Sequence, residues 1–417
     1  MAYDAIVLGA GIAGVSTAIH LRKRGLSVAL VDRREPGEET SFGNAGIIQR
    51  EGIHPYLFPR DLRTIIDVAL KRRTDADYHI TSLASVAPFL WRYFRASTEE
   101  GGRRSLAANV PIFARCLEAH EALMDEAGSS GLIAKRGWIR LFRDDGAIPE
   151  AEAQARELRD FGLDAVMPDM TELQALEPHV DVTQLAGAMH YRDPWTCSDP
   201  GALVKSYADL FKRLGGEIVQ AEIFGLENGN GKWTVATDGP ALSAEHVAVT
   251  LGPWSKKLLD AAGLRLPMGV KRGYHEHYGA TGNAYLSRPL VDDEFGFVLA
   301  PMARGIRLTS GAEFARQEAA KTPVQLRKVL PMARDLFPLG DSVDPEPWMG
   351  ARPVFPDMLP VVGRAPGMNG IWLNFGHGHH GFTLGPATGE LVAQMISGET
   401  PFCDPEPYSA QRFTRLQ

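Results

Sequence analysis

Residues 5–15 read Ala5-Ile6-Val7-Leu8-Gly9-Ala10-Gly11-Ile12-Ala13-Gly14-Val15, and residues 28–32 read Val28-Ala29-Leu30-Val31-Asp32. Ala5 to Leu8 is an unbroken apolar run, the composition of a strand buried on both faces. Gly9, Gly11 and Gly14 follow in G-x-G-x-x-G spacing. The first glycine permits a tight turn, the second a close backbone approach to a pyrophosphate, and the third close helix–sheet packing. Ile12, Val15 and Ile19 then recur at helical spacing, with Arg22, Lys23 and Arg24 near the end, where cations suit the dipole. Gly25 ends the helix, and a second strand ends in Asp32, where an acid can hydrogen-bond an adenosine ribose. Strand, helix, strand and terminal acid in this order predict a dinucleotide-binding βαβ unit.

A chain of 417 residues exceeds one core, which implies two domains or one elaborated α/β unit. With 44% hydrophobic and 23% charged residues it has the composition of a soluble globular protein. A net charge of −7 argues against a nucleic-acid binder. Cys116, Cys197 and Cys403 form no CxxC, so they are expected as buried thiols and not as zinc ligands or disulfides. The first strand begins within a few residues of Met1, leaving no room for a signal peptide, and no apolar stretch of spanning length occurs. A cytoplasmic setting is expected.

Residues 33–60 are turn-rich and contain Thr40-Ser41-Phe42-Gly43-Asn44-Ala45-Gly46, small residues suited to backbone–ligand contact. Residues 61–126 read as helices, and Asp199-Pro200-Gly201 opens another with an N-cap acid before proline. Strands are expected near 137–142, 218–219, 233–237, 246–251, 273–278, 297–299, 306–309 and 371–375, and a final helix over 383–396. The predicted fold class is α/β, a Rossmann-type domain assembled from 1–55, 195–265 and 350–417. An α+β substrate domain with a mixed sheet, 56–194 and 266–349, is inserted into it.

One dinucleotide fingerprint, with no second triplet and acid, favours a flavin over a nicotinamide, because a flavin is both resident cofactor and redox centre. Three further segments support this: Thr40 to Gly46, Leu251-Gly252-Pro253-Trp254-Ser255, and Gly350-Ala351-Arg352-Pro353 followed by Pro360-Val361-Val362-Gly363. Together they resemble the D-amino-acid oxidase/dehydrogenase superfamily of FAD-dependent oxidoreductases, which includes glycine and sarcosine oxidases. Ser41-Phe42-Gly43-Asn44-Ala45-Gly46 is especially similar to bacterial D-amino-acid dehydrogenases. Gly376-His377-Gly378-His379-His380-Gly381-Phe382-Thr383-Leu384-Gly385-Pro386 resembles a subgroup that includes D-hydroxyproline dehydrogenase-like enzymes.

The resemblance implies that Gly9, Gly11, Ala13 and Gly14 hold the pyrophosphate, Asp32 the ribose, and Arg33 and Ile223 the adenine side. It places Thr40, Ser41, Gly43, Asn44, Ala45, Gly46 and Ile48 along the ribityl chain and isoalloxazine, with Gly252 and Trp254 near the flavin. Gly378, His380, Gly381, Phe382 and Thr383 match the loop that meets the pyrimidine ring, where a helix N-terminus stabilises negative charge. Covalent relatives use a Cys or His outside these motifs, and Cys403 lies in the tail, so non-covalent FAD is expected.

Amine oxidation by hydride transfer needs positioning more than acid–base machinery. Arg352 is the expected carboxylate anchor, since relatives carry that arginine in Gly-x-Arg-Pro, although Pro353-Val354-Phe355 lacks the second arginine of mammalian-type oxidases. In Tyr274-His275-Glu276-His277-Tyr278, strand alternation places Tyr274 and His275 on opposite faces, and either is a candidate pocket residue. His380 and Gln49 are candidate substrate contacts. His377, His379 and His380 lack accompanying carboxylates or cysteines, so no metal is expected. The expected activity is FAD-dependent oxidation of a D-amino acid, or of a cyclic secondary one such as D-proline or hydroxy-D-proline, to the imine. As in a dehydrogenase, electrons are then expected to pass to a non-oxygen acceptor such as a quinone or another electron carrier. The alternatives are a sarcosine/glycine-oxidase-like enzyme using O₂ and a flavin-binding assembly or electron-relay subunit. Trp91-Arg92-Tyr93-Phe94-Arg95 is expected to serve ordinary helix packing, with docking on the inner membrane or on an electron carrier as the alternative.

Overall fold

The computed structural model describes residues 2–229 and 231–414. The strand Ala2–Leu8 runs parallel to Val28–Asp32 on one side and to Leu242–Val249 on the other. Glu217–Gln220 extends the sheet beyond Val28–Asp32, also in parallel. Leu242–Val249 is shared along its length. Its first half carries the hairpin Ile223–Gly229/Lys232–Thr237, and its second half pairs in parallel with Ile371–Phe375. Ile6, Leu8, Val247, Val249 and Leu373 are fully buried, as the unbroken apolar runs require.

The helices Ile12–Lys23 and Gly381–Ile396, from opposite ends of the chain, cross at close range. A Cβ on Gly389 would lie 2.7 Å from the Thr17 nitrogen, and one on Gly385 would lie 2.9 Å from the Ile12 side chain. Glycine therefore lets the two helix N-termini converge on one side of the sheet, at the carboxyl ends of the parallel strands.

A larger mixed sheet centres on the long strand Gly269–Ala280. Gly305–Thr309 and Trp348–Val354 flank it, both antiparallel. Trp348–Val354 crosses residue 350, so the chain returns to the first sheet only at Val361–Arg364. A small third sheet pairs Ile47–Ile48 and Ile133–Ala134 with Trp195–Cys197.

The stretch read as helical over 61–126 contains Leu62–Ala69, Leu83–Ala96 and Glu99–Ala127, but also the strand Ala76–Tyr78. That strand pairs in parallel with Ala312–Phe314. Three residues are too few to display a period, and only the distant partner defines them.

Candidate active site

At the first strand's end Gly9 adopts φ +106°, and a Cβ there would sit 2.7 Å from the Thr250 carbonyl oxygen. The Thr250 hydroxyl secures the turn by donating to Leu8 O at 2.7 Å and Gly9 O at 3.0 Å. A Cβ on Gly14 would meet Gly9 O at 1.8 Å, so only glycine allows the helix this close to the turn. The helix start at Gly11 has no side-chain cap and no acid in its first turn, which includes Ala13. Its Ile12 N–H donates to Ser41 Oγ at 3.0 Å. Asp32 accepts from the Ala10 N–H at 2.7 Å and the Arg34 N–H at 3.0 Å. Burial raises the Asp32 pKa, and these two donors oppose the rise. Arg33 lies 4.7 Å over the Trp254 ring, and Gly252 opens the turn carrying Trp254 with φ +54°. The Ala221 N–H donates to Asp32 O at 2.8 Å, bringing the start of the Ile223 strand alongside.

The segment 40–49 connects the two helix N-termini. Thr40 Oγ1 donates to Ala351 O at 3.1 Å, and Asn44 Oδ1 accepts from the Gly46 N–H at 2.8 Å. Gly43 packs on Trp348, whose ring would lie 1.8 Å from a Cβ. Gly46 has φ +73°, and its would-be Cβ falls 2.2 Å from Cys197 O. Ala45 is half-buried and Ile48 fully buried, opposite Trp195. The Gln49 N–H donates to Thr383 Oγ1 at 3.0 Å. Thr383 belongs to the first turn of Gly381–Ile396, whose cap residue His380 makes no side-chain capping bond and which has no acid in that turn. Gly378, with φ +60°, shapes the approach, and the carbonyl of buried Phe382 is bonded to the His120 ring at 2.9 Å.

Strand alternation sorts the pocket candidates. Tyr274 faces away from the nucleotide-binding sheet, into a buried cluster with Arg272, Glu313 and Thr322. Its hydroxyl donates to Glu313 Oε2 at 2.9 Å and accepts from the Thr322 N–H at 2.9 Å. Tyr274 is thus a core residue, and the expectation that it meets substrate is corrected by strand parity. His275 faces the other way. It stacks on Trp348 with centroids 4.8 Å apart and lies 6.0 Å from Phe42. Burial and the neighbouring Arg307 and His277 drive its pKa down to about 2, so the ring is neutral.

Arg352 shares that face. Its guanidinium covers Gly273, where a Cβ would lie 2.5 Å from Nη1, and its hydrogen bond goes to Gly311 O at 3.5 Å. Among the described residues no carboxylate pairs with it. Burial lowers its pKa. His379 and His380 lie 4.8 and 5.7 Å from the Tyr56 ring. His380 also packs edge-on against Phe113 at 4.9 Å, and among the described residues neither of its ring nitrogens has a hydrogen-bond partner. Burial lowers its pKa to about 4. His377 bonds Thr388 Oγ1 at 3.0 Å. Among the described residues no group of three or more His, Cys, Asp or Glu has a metal-holding arrangement.

Four residues here were not singled out by the sequence. Glu51 is buried, and its Oε1 accepts from Trp138 Nε1 at 2.7 Å and Gln49 Nε2 at 3.3 Å, while Oε2 has no partner among the described residues. Gln49 is therefore turned toward Glu51. Arg307 donates to the carbonyls of Phe42, at 3.0 Å, and Asn44. Tyr56 and Lys271 border Arg352 and His379 electrostatically. Each is an isolated polar residue whose neighbours come from distant segments; only Lys271, two residues before Gly273 on a strand of known alternation, offered a clue.

The family described as FAD dependent oxidoreductase (DAO) matches residues 4–395, and the chain belongs to it. A D-amino acid dehydrogenase of Paramagnetospirillum magneticum is 31% identical, with 98% of each chain covered. A D-amino-acid oxidase of Bradyrhizobium diazoefficiens is 28% identical, again with 98% of each covered. Among solved structures, glycine oxidase from Geobacillus kaustophilus superposes with a TM-score of 0.75 at 22% identity, covering 99% of both chains. L-proline dehydrogenase from P. horikoshii gives a TM-score of 0.77 at 20% identity, covering 99% of this chain and 98% of that one. The protein is an FAD-dependent oxidoreductase of Rossmann-like α/β fold. Its own residues fit FAD: the glycine cradle at 9–14, an uncapped helix N-terminus for the pyrophosphate, Asp32 for the ribose, and a second uncapped N-terminus at Gly381.

Proposed function

We propose that the enzyme oxidises a D-amino acid, with secondary cyclic ones such as D-proline or hydroxy-D-proline included, to the corresponding imine. The carrying observation is Arg352, a guanidinium without a carboxylate partner on the sheet face that looks toward the nucleotide-binding domain. A planar bidentate donor of this kind suits a substrate carboxylate. Non-covalent FAD, when bound, supplies the acceptor for the hydride leaving the substrate Cα. The chain's part is to orient: Arg352 fixes the carboxylate, and Trp348 and neutral His275 form an apolar wall. Tyr56, His379 and His380 close the opposite side. The N-terminus of Gly381–Ile396 favours negative charge beside it. The names of the relatives favour the D-configuration and a dehydrogenase.

In this reading the site residues are those of the two helix N-termini and the 40–49 segment, with Arg352 the substrate anchor. The two domains divide as 1–55, 195–265 and 350–417 against 56–194 and 266–349, with the strand Trp348–Val354 pairing into the larger sheet from its boundary position. Electrons leave to a quinone or other carrier at the inner face of the membrane. The helix Leu62–Ala69 buries none of its residues, and Leu62, Ile66 and Trp91 are 75%, 51% and 61% exposed beside exposed Arg63, Arg92 and Arg95. Such a face suits an anionic lipid surface. Among the described residues no helix is long and apolar enough to cross a membrane.

Anaerobic mixing with a panel of D- and L-amino acids, sarcosine and glycine tests the reading. Bleaching of the flavin band by D-enantiomers is the expected result, and reduction by none of the panel overturns it. Slow recovery in air but fast recovery with a quinone identifies a dehydrogenase. Flotation with anionic, but not neutral, vesicles supports the membrane contact.

A further inference from the structure

Arg352 is not the only cation on its sheet face. Lys271 sits directly opposite it in the antiparallel register. Partners in such a pair project to the same side of the sheet. Lys271 is 4% exposed, and its Nζ donates to the Tyr93 hydroxyl at 3.0 Å. Among the described residues neither cation has a carboxylate partner. Two like charges on adjacent strands with no anion between them are unfavourable in the protein itself, which points to anions brought from outside.

The two side chains lean apart. Arg352 covers Gly273, the next position along the strand on this face. Lys271 turns the other way, 4.5 Å above the Tyr93 ring on the helix Leu83–Ala96. Tyr93 in turn donates to the Tyr56 carbonyl, and the Tyr56 ring lies against His379. Lys271, through Tyr93 and Tyr56, and Arg352, its partner in the strand register, thus stand on the same side as His379, whose pKa is lowered by burial and by both cations. An ammonium group has three donors, and one is committed to Tyr93.

Resting on the amino-acid oxidation proposed above, we infer that Lys271 is a second anion-binding group and that the substrate is a dicarboxylic amino acid. Arg352 takes the α-carboxylate and Lys271 the side-chain carboxylate. The lean of the two cations, away from each other along the strands, separates the two anionic subsites. Burial, and secondarily Arg352, lowers the Lys271 pKa to about 7, so an arriving carboxylate both finds and stabilises its charged form.

Isosteric pairs test this directly. D-glutamate should exceed D-glutamine in kcat/KM at least tenfold, and D-aspartate should exceed D-asparagine similarly. In Lys271→Met the D-glutamate value should fall at least tenfold further than that of D-glutamine. A readout apart from turnover is the dissociation constant of glutarate against butyrate, followed by perturbation of the flavin spectrum. Glutarate should bind at least tenfold more tightly, and Lys271→Met should abolish the difference. Should Lys271→Met not fold, Lys271→Gln replaces it, and equal wild-type affinity for glutarate and butyrate overturns the inference without any variant. If no amino acid reduces the flavin, the proposed amino-acid oxidation fails, while the glutarate–butyrate comparison still decides the role of Lys271.

Discussion

Arg307 Nε donates to His277 Nε2 at 3.0 Å, across the neighbouring strands Gly305–Thr309 and Gly269–Ala280. An arginine N–H is only a donor, so Nε2 must be the acceptor and the imidazole proton sits on Nδ1. There it meets Asp344 Oδ2 at 2.7 Å, and the same oxygen takes the His277 backbone N–H at 2.7 Å. Arg304 closes the chain on Asp344 at 2.8 Å. The guanidinium is thereby held so that Nη1 reaches the carbonyls of Phe42 and Asn44. A relay rooted in the larger sheet thus clamps the loop that joins the two helix N-termini of the smaller one.

Arg307→Met leaves those two carbonyls and the His277 nitrogen without a buried donor, a loss of about 3 kcal/mol. The variant should unfold at lower denaturant concentration and lose FAD on desalting, while Arg304→Met, at the exposed end of the relay, should retain it. Equal FAD retention in the two variants would remove Arg307 from its clamping role.

The first βαβ unit was legible because its signals are local: an apolar run, a glycine triplet and an acid lie within 28 residues, 5 to 32. The alternation of residues 274–278 was equally legible, but which face meets the cleft was not. That depends on what packs on each side, and Glu313 and Thr322, which claim Tyr274, come from segments with no period of their own. Lys271 and Arg352 become a pair only through a register set by two strands 81 positions apart, 271 to 352. Glu51 carried no signal because an acid after a short strand reads as solvated, whereas Trp138 arrives from another element to bury it.

The glycine fingerprint predicts two unlike outcomes for one substitution. In Gly14→Ala the new methyl would occupy space 1.8 Å from Gly9 O and 2.5 Å from Thr250 Oγ1, both fixed by the turn. The helix must move off the sheet, and the purified protein should contain little FAD. In Gly25→Ala nothing lies within 4 Å, and only φ +84° resists, a cost of about 1 kcal/mol. That variant should keep its full flavin content, as the ratio of flavin to protein absorbance reports.

Glu51 gives stability an unusual pH dependence. Burial pushes its pKa from 4.5 up to about 7, with Trp138 and Gln49 as opposing donors and Asp193 adding to the rise. Tyr56, Tyr191 and Cys116 face the same carboxylate from three other segments. Because the folded state then holds this proton more tightly than the unfolded chain, the contribution of Glu51 to stability falls as pH rises from about 4.5 to about 7. The full drop is about 3 kcal/mol. Glu51→Gln keeps the acceptor for Trp138 and removes the titration. Urea unfolding at several pH values should show the variant gaining on the wild type across that window, and parallel curves would contradict it.

Arg352 is the sharpest test of the substrate site, because its removal should separate substrate from cofactor. Among the described residues the guanidinium makes one long bond, to Gly311 O at 3.5 Å, so Arg352→Ala abandons little internal structure. A charge-assisted bidentate grip is worth about 3 kcal/mol, roughly a hundredfold in KM for a carboxylate substrate. Arg352→Lys keeps the charge without the fork and should fall between. Esterified or amidated amino acids, which lack the carboxylate, should lose far less between wild type and Arg352→Ala, since there is no anion for the arginine to hold. FAD content and thermal stability should stay near wild type throughout. Were the ester to suffer the same hundredfold loss, Arg352 would be shaping the cleft instead of binding the carboxylate.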